Sequence, residues 1–136
     1  MRISLCNEVL RNLDFQQQCR FTADVGYDGI EVAPFTLSDE PHRLPPARVS
    51  ELRRIAEGEG IPVTGLHWLL VTPPGLSITS PDPAVRRTTS DVVKGLIDLC
   101  AALGGRVLIH GSPKQRMVEE SQRDLASGWA LEILAE

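Results

Sequence analysis

Short apolar runs with strand-type alternation and longer stretches with helical spacing take turns four times along the chain, and most glycines and prolines fall between them. This is the pattern of βα units. The first run, Arg2–Cys6, precedes a helix expected from about Phe15 to Val25, opened by a capping box of Asp14 and Gln17. Phe15, Cys19, Thr22 and Ala23 supply its inner face, and Gly26 closes it. Ile30-Glu31-Val32 reads as the second strand. The polar loop Thr36–Pro45 then leads to a helix starting near Pro46, with Val49, Leu52, Ile55 and Ala56 as its apolar stripe. Ile61–Leu70 is the third strand region and the most apolar run. The loop Thr72–Ser80 is too rich in proline and turn residues for a helix, and Pro81-Asp82-Pro83 opens the third helix, whose apolar positions run from Val85 to Leu103. Gly104-Gly105 stops it. Arg106–His110 is the fourth strand, and after the loop Gly111–Met117 a last helical pattern runs from about Val118 toward Glu136 without a stop signal. That ending is expected of a chain cut inside a larger domain.

Four consecutive βα units with right-handed crossovers make either half of an eight-stranded barrel or a small open doubly wound sheet. Long polar loops follow strands 2, 3 and 4, while the returns from helix to strand are short, which puts the elaboration on the face where barrel enzymes build their sites. A dinucleotide-binding sheet would need G-x-G-x-x-G after the first strand, where this chain has Cys6-Asn7-Glu8-Val9-Leu10-Arg11. The expectation is therefore an α/β fold of TIM-barrel type, with residues 1–136 forming the first four βα units of one domain around parallel strands.

Composition narrows the function classes. The 136 residues, 42% hydrophobic and 24% charged, suit one globular core. Fourteen Lys and Arg against eighteen Asp and Glu give 14 − 18 = −4, so the chain lacks the basic footprint of a duplex nucleic-acid binder. Arg43, Arg48, Arg53 and Arg54 are interleaved with Glu51, Glu57 and Glu59 and read as a solvated helix surface. Three cysteines without a C-x-x-C pair argue against a disulfide framework or a cysteine zinc site and fit a reducing compartment, the cytoplasm. Neither a signal peptide nor a membrane-length apolar run is expected.

Alternation within strands picks out the candidate chemistry, because residues two apart share a face. Ile30 and Val32 oppose Glu31; Leu66 and Trp68 oppose Val63, Gly65 and His67; Val107 and Ile109 oppose Leu108 and His110. With the more apolar set on the helix layer, Glu31, His67 and His110 would converge at the carboxyl ends of adjacent strands. Two imidazoles and a carboxylate suit a divalent ion, with His67 and His110 as ligands, while a strand-end histidine also serves as a hydrogen-bonded core residue or a substrate contact. Glu31 is read as a pocket residue that ligates, binds sugar hydroxyls or pairs with an arginine. Lys114 and Arg116 lie where they would hold a phosphate or carboxylate of a small substrate. Asn7 and Glu8 would line the same mouth. Trp68 is a candidate for stacking on a sugar face, although its side of the strand favours packing under a helix. His42 is expected exposed, Cys19 and Cys100 in the core, and Cys6 in the pocket lining, none with a reactive-thiol context.

Three stretches carry a family likeness: Gly26-Tyr27-Asp28-Gly29-Ile30-Glu31-Val32; Gly60-Ile61 through Gly65-Leu66-His67; and Leu99-Cys100-Ala101-Ala102-Leu103-Gly104-Gly105 leading to Val107-Leu108-Ile109-His110-Gly111. Through them the chain resembles the N-terminal half of xylose-isomerase-like TIM barrels, the sugar-phosphate isomerase/epimerase superfamily. Ketose 3-epimerases, hydroxypyruvate isomerases, inosose dehydratases and endonuclease IV are members. The resemblance implies a divalent metal (Mn, Mg, Co or Zn) and an enediolate proton transfer between two glutamates, with those glutamates and most metal ligands on later strands, beyond Glu136. In the endonuclease IV branch, histidines closing strands 3 and 4 are metal ligands, which corresponds to His67 and His110.

The function expected is a metal-dependent sugar or sugar-phosphate isomerase/epimerase acting on a small sugar or polyol, with neither nucleic acid nor membrane as partner. Substrate contacts are assigned to Asn7, Glu31, His67, Trp68, Lys114 and Arg116. Two alternatives stand beside it: an abasic-site nuclease of the endonuclease IV kind, and a non-catalytic half-barrel that associates, for instance with a second copy, through unpaired strand edges.

Overall fold

The computed structural model describes residues 1–135. Four parallel strands, β1 (Ser4–Cys6), β2 (Gly29–Val32), β3 (Val63–His67) and β4 (Val107–Ile109), lie in the order β1-β2-β3-β4. Helices α1 (Phe15–Asp24), α2 (Pro46–Gly58) and α3 (Pro83–Leu103) return the chain to the next strand, and α4 (Arg123–Ala135) follows β4. The alternation of strands and helices in one parallel sheet is that of a partial TIM barrel.

Helix starts follow the local chemistry of the sequence. At α1 the Asp14 side chain accepts from the Gln17 amide and the Gln17 side chain accepts from the Asp14 amide, which satisfies two backbone donors at once. Pro46 occupies the first turn of α2, and the Asp82 carboxylate accepts from the Ala84 amide to open α3. Gly104, at φ 91°, ends α3 in the left-handed conformation that glycine adopts without a Cβ clash.

One core lies between the sheet and the helices. Ile30, Val32 and Leu66 from the strands meet Cys19, Leu52, Ala56, Val92, Leu96 and Leu103 from α1, α2 and α3.

Several boundaries differ from expectation. Strand 1 is Ser4–Cys6 rather than Arg2–Cys6, and strand 4 is Val107–Ile109 rather than Arg106–His110. Strand 3 stops at His67, because Trp68 takes a left-handed backbone (φ 55°) that no strand continues through. The last helix begins at Arg123 instead of about Val118. The preceding segment is held against the β3–α3 loop, where the Ile78 amide donates to the Gln115 carbonyl (2.9 Å) and the Thr79 hydroxyl to the Met117 carbonyl (2.7 Å).

Register decides which side chains share a face. Cys6, Glu31, Gly65 and Val107 form one row across the sheet, and His67 pairs with Ile109 in the next row of the same face. A register shift between Ile30 and Glu31 pairs Ile30 with Val63 but Glu31 with Gly65. Val63 therefore joins the core instead of sharing a face with Gly65 and His67, and the Thr64 hydroxyl donates to the Ile30 carbonyl and the Ser4 hydroxyl. In β4, Val107 and Ile109 take the inner face and Leu108 the other, the reverse of the expected assignment.

Candidate functional site at the carboxyl ends of the strands

β1 and β2 end side by side, and their last inward residues touch: the Cys6 thiol donates to Glu31 Oε2 at 3.3 Å. Burial pushes the thiol pKa up to about 11, reinforced by that hydrogen bond and by the charges of Glu31 and Glu8. Cys6 is thus a protonated donor that fixes one carboxylate oxygen.

His67 closes β3 between two carboxylates. Its Nδ1 lies 4.0 Å from Glu31 Oε2 and its Nε2 3.5 Å from Glu8 Oε2. The residue is only 7% exposed, yet neither ring nitrogen makes a hydrogen bond, nor does Glu8 Oε2. Buried polar atoms without partners are costly, so these three atoms call for a partner. Among the described residues, Cys6, Glu31 and His67 form a group whose potential ligand atoms all lie within 4.8 Å of one another. Glu8 stands in the 3-10 turn Asn7–Leu10 directly after β1, which is how it reaches His67.

The other expected site residues are placed as follows. Asn7 is fully buried, with its amide donating to Gln18 Oε1 and the Thr36 hydroxyl and its carbonyl accepting from the Ala33 amide. That is a correction: Asn7 clips three segments beneath the mouth, and its hydrogen-bonding groups are spent on protein. Trp68 does not pack under a helix. Its left-handed backbone turns it out of the strand alternation, and its ring, in a residue 40% exposed, lies 6.0 Å from Phe35 and against Gly111.

His110 does not share a row with His67, because the β3–β4 register pairs His67 with Ile109, and His110 is outside the Cys6-Glu31-His67 group. Its Nε2 is buried without a partner, and its pKa is lowered by burial first and by the Arg116 guanidinium second. Lys114 and Arg116 are exposed in the 3-10 turn Pro113–Arg116, beyond β4.

Away from the mouth, His42 is half-buried rather than exposed, with its backbone against Gly95 of α3. It lines a cavity of about 460 Å³ between α2 and α3 together with Leu44, Arg53, Asp98 and Leu99, on the outer helix layer. Cys19 and Cys100 lie in the core as expected, and burial pushes the Cys19 thiol up to about 12.

The strand-end carboxylates, the unpartnered imidazole and the aromatic pair sit at the carboxyl ends of the strands, the face where barrel enzymes bind small molecules. The family described as xylose isomerase-like TIM barrel matches residues 19–135, and the chain belongs to it. Among solved structures, the fold is similar to 3-keto-D-glucoside 4-epimerase from E. coli in its apo form. That match has a TM-score of 0.71 at 16% identity, over 99% of this chain and 49% of that one. It is also similar to D-psicose 3-epimerase crystallised in the presence of D-fructose, with a TM-score of 0.73 at 18% identity, over 98% of this chain and 46% of that one. The D-psicose 3-epimerase of Clostridium cellulolyticum with D-tagatose gives a TM-score of 0.73 at 16% identity. The chain spans about half the length of these structures. No curated protein matches it by sequence. Among the described residues, no helix is long and apolar enough to cross a membrane.

Proposed function

We propose that residues 1–136 supply the N-terminal half of a sugar or sugar-phosphate isomerase/epimerase site, with the substrate seated at the carboxyl ends of β1–β3. The observation that carries this reading is His67: buried, unpartnered at both nitrogens, and placed between the carboxylates of Glu8 and Glu31. A sugar offers many hydroxyls and one carbonyl, and this mouth offers acceptors and an imidazole in a confined place.

In this reading Glu31, steadied by the Cys6 thiol, accepts hydrogen bonds from sugar hydroxyls. His67 holds a substrate oxygen through whichever ring nitrogen faces it, and Glu8 orients the ring from its other side. Trp68 lays its ring on the apolar face of the sugar, backed by Phe35. Arg116 and Lys114 bind a phosphate at the outer rim when the substrate carries one.

A divalent metal (Mn, Mg, Co or Zn) supplies stabilisation of the negative charge that develops on the substrate oxygen. The donors present fit such an ion: an unpartnered imidazole with a carboxylate beside it at His67 and Glu31. The register gives no pairing of His67 with His110, so His110 serves here beside Arg116 at the rim. The acid/base carboxylates of the proton transfer come, in this proposal, from strands outside residues 1–136.

The net charge of −4 favours a small polyol over an abasic duplex as substrate, and the free thiols suit a cytoplasmic setting.

The test is solvent-deuterium incorporation into ketoses and ketose phosphates, using the protein with any residues its reading frame carries beyond 136. Deuterium at the carbon beside the carbonyl, lost on divalent-ion removal and in Glu31→Ala, is expected. Nicking of an abasic duplex without ketose exchange would overturn the proposal.

A further inference from the structure

The first three strands bring a sulfur, an oxygen and a nitrogen donor together without any residue beyond β3. Cys6 Sγ, a Glu31 carboxylate oxygen and a His67 ring nitrogen lie within 4.8 Å of one another. Three ligands about 2.0–2.3 Å from one tetrahedral ion require donor separations of this order after small side-chain rotations. The Cys6–Glu31 separation of 3.3 Å and the Glu31–His67 Nδ1 separation of 4.0 Å bracket that need.

A second observation points the same way. His67 is more than nine-tenths buried and both its nitrogens lack hydrogen-bond partners, so the fold places an imidazole where nothing in the protein satisfies it. Its two nitrogens face different carboxylates. Nδ1 looks toward Glu31, while Nε2 has Glu8 at 3.5 Å. A metal-bound histidine characteristically presents its other ring N–H to a carboxylate, which fixes the tautomer and the ring. Glu8 stands in that place.

We infer that Cys6, Glu31 and His67 form a site for one thiophilic divalent cation, zinc or cobalt, with Glu8 orienting the His67 ring. Sulfur and imidazole select such ions over magnesium or calcium, which prefer all-oxygen sites. On binding, the sulfur–metal bond forms as the Cys6 S–H proton leaves to solvent, and the hydrogen bond from that thiol to Glu31 is given up. Three protein ligands leave a fourth position for water or a substrate oxygen at the open mouth. The site rests on the proposed function only for its setting at the same mouth; its own ligands require neither a sugar nor any residue of a later strand.

Cobalt(II) titrated into the metal-free, reduced chain tests it by absorption spectroscopy. The expected result is one equivalent bound with a thiolate-to-cobalt charge-transfer band, absent in Cys6→Ser. His67→Ala should weaken binding, and Glu8→Gln should weaken it by about 10–100-fold. A band that persists in Cys6→Ser, binding without a sulfur band, or failure to bind cobalt would overturn the site. Should Cys6→Ser lose its circular-dichroism signature of folding, X-ray absorption of the zinc-loaded wild type decides: one sulfur among nitrogen and oxygen ligands supports the site, and an all-nitrogen-and-oxygen shell refutes it. Ketose exchange by a protein that binds no cobalt through Cys6 would remove this site and leave the sugar reading intact, whereas cobalt binding with its sulfur band and no ketose exchange would do the reverse.

Discussion

On the helix side of the sheet Ile30, Val32 and Leu66 are fully buried, while on the inner side Val107 is 50% exposed and Ile109 43%, and Cys6, Glu31 and His67 share that face. The same strands thus carry a closed packing surface and an open one. Stability belongs to the first, where apolar area is removed from water. The proposed chemistry belongs to the second, where Glu31 and His67 stand outside the apolar core. The contrast separates substitutions that unfold the chain from substitutions that disarm it.

The sharpest break between the faces comes from truncating one residue on each. Leu66→Ala leaves a void beneath α2 and α3 and should cost about 2–5 kcal/mol in denaturant unfolding. Ile109→Ala, on the exposed inner face, should change stability by about 0.5 kcal/mol or less in the same assay. Comparable losses would mean that the inner face is packed.

Gly65 tests how closely β3 and β4 approach. A Cβ there would run into the Val107 carbonyl, so Gly65→Ala should cost about 1–3 kcal/mol and loosen β4 first, read as faster amide exchange at Leu108 and Ile109.

Asn7 sharpens the line between support and site. Removing its side chain leaves the buried Ala33 amide without its acceptor, and Asn7→Ala should cost about 1–3 kcal/mol by thermal or denaturant melting. A variant of unchanged stability would return Asn7 to the ligand-facing residues.

The smallest effect is pH dependence. Burial, aided by neighbouring arginines, holds His110 and His42 below the ordinary 6.5, so the unfolded chain takes up their protons before the folded one does. Their contribution is therefore complete above pH 6.5 and declines as pH falls through that value toward the lower folded ones. Melting temperature followed from about pH 8 to about pH 5 should show the decline, and His42→Asn with His110→Asn should flatten it.

Much of this was legible in the sequence, for identifiable reasons. The capping box at Asp14, the proline at Pro46 and the Asp82 cap are local signals, and each helix begins where they stand. Glu31 and His67 followed from alternation and from being polar within apolar strands. The failures are non-local. An extra residue at Thr64 reverses the face of Val63, and the β3–β4 register exchanges Ile109 for His110 beside His67; neither is encoded in the alternation of a single strand. Asn7 looks like pocket lining until the buried Gln18 and the Ala33 amide are seen to consume it. Cys6 at the end of β1 and Glu8 just after it are expected at the mouth, but their pairing with Glu31 and His67 depends on β1–β2 register and on the turn Asn7–Leu10.

The most direct test of an inner-face site is a titration of isotopically labelled protein with a ketose and its phosphate, followed by nuclear magnetic resonance. The account predicts shifts confined to Glu8, Glu31, His67, Trp68 and, with the phosphate alone, Arg116 and Lys114, and their loss in the His67→Ala variant. Shifts centred on the cavity between α2 and α3, or saturating shifts that survive His67→Ala, would contradict it.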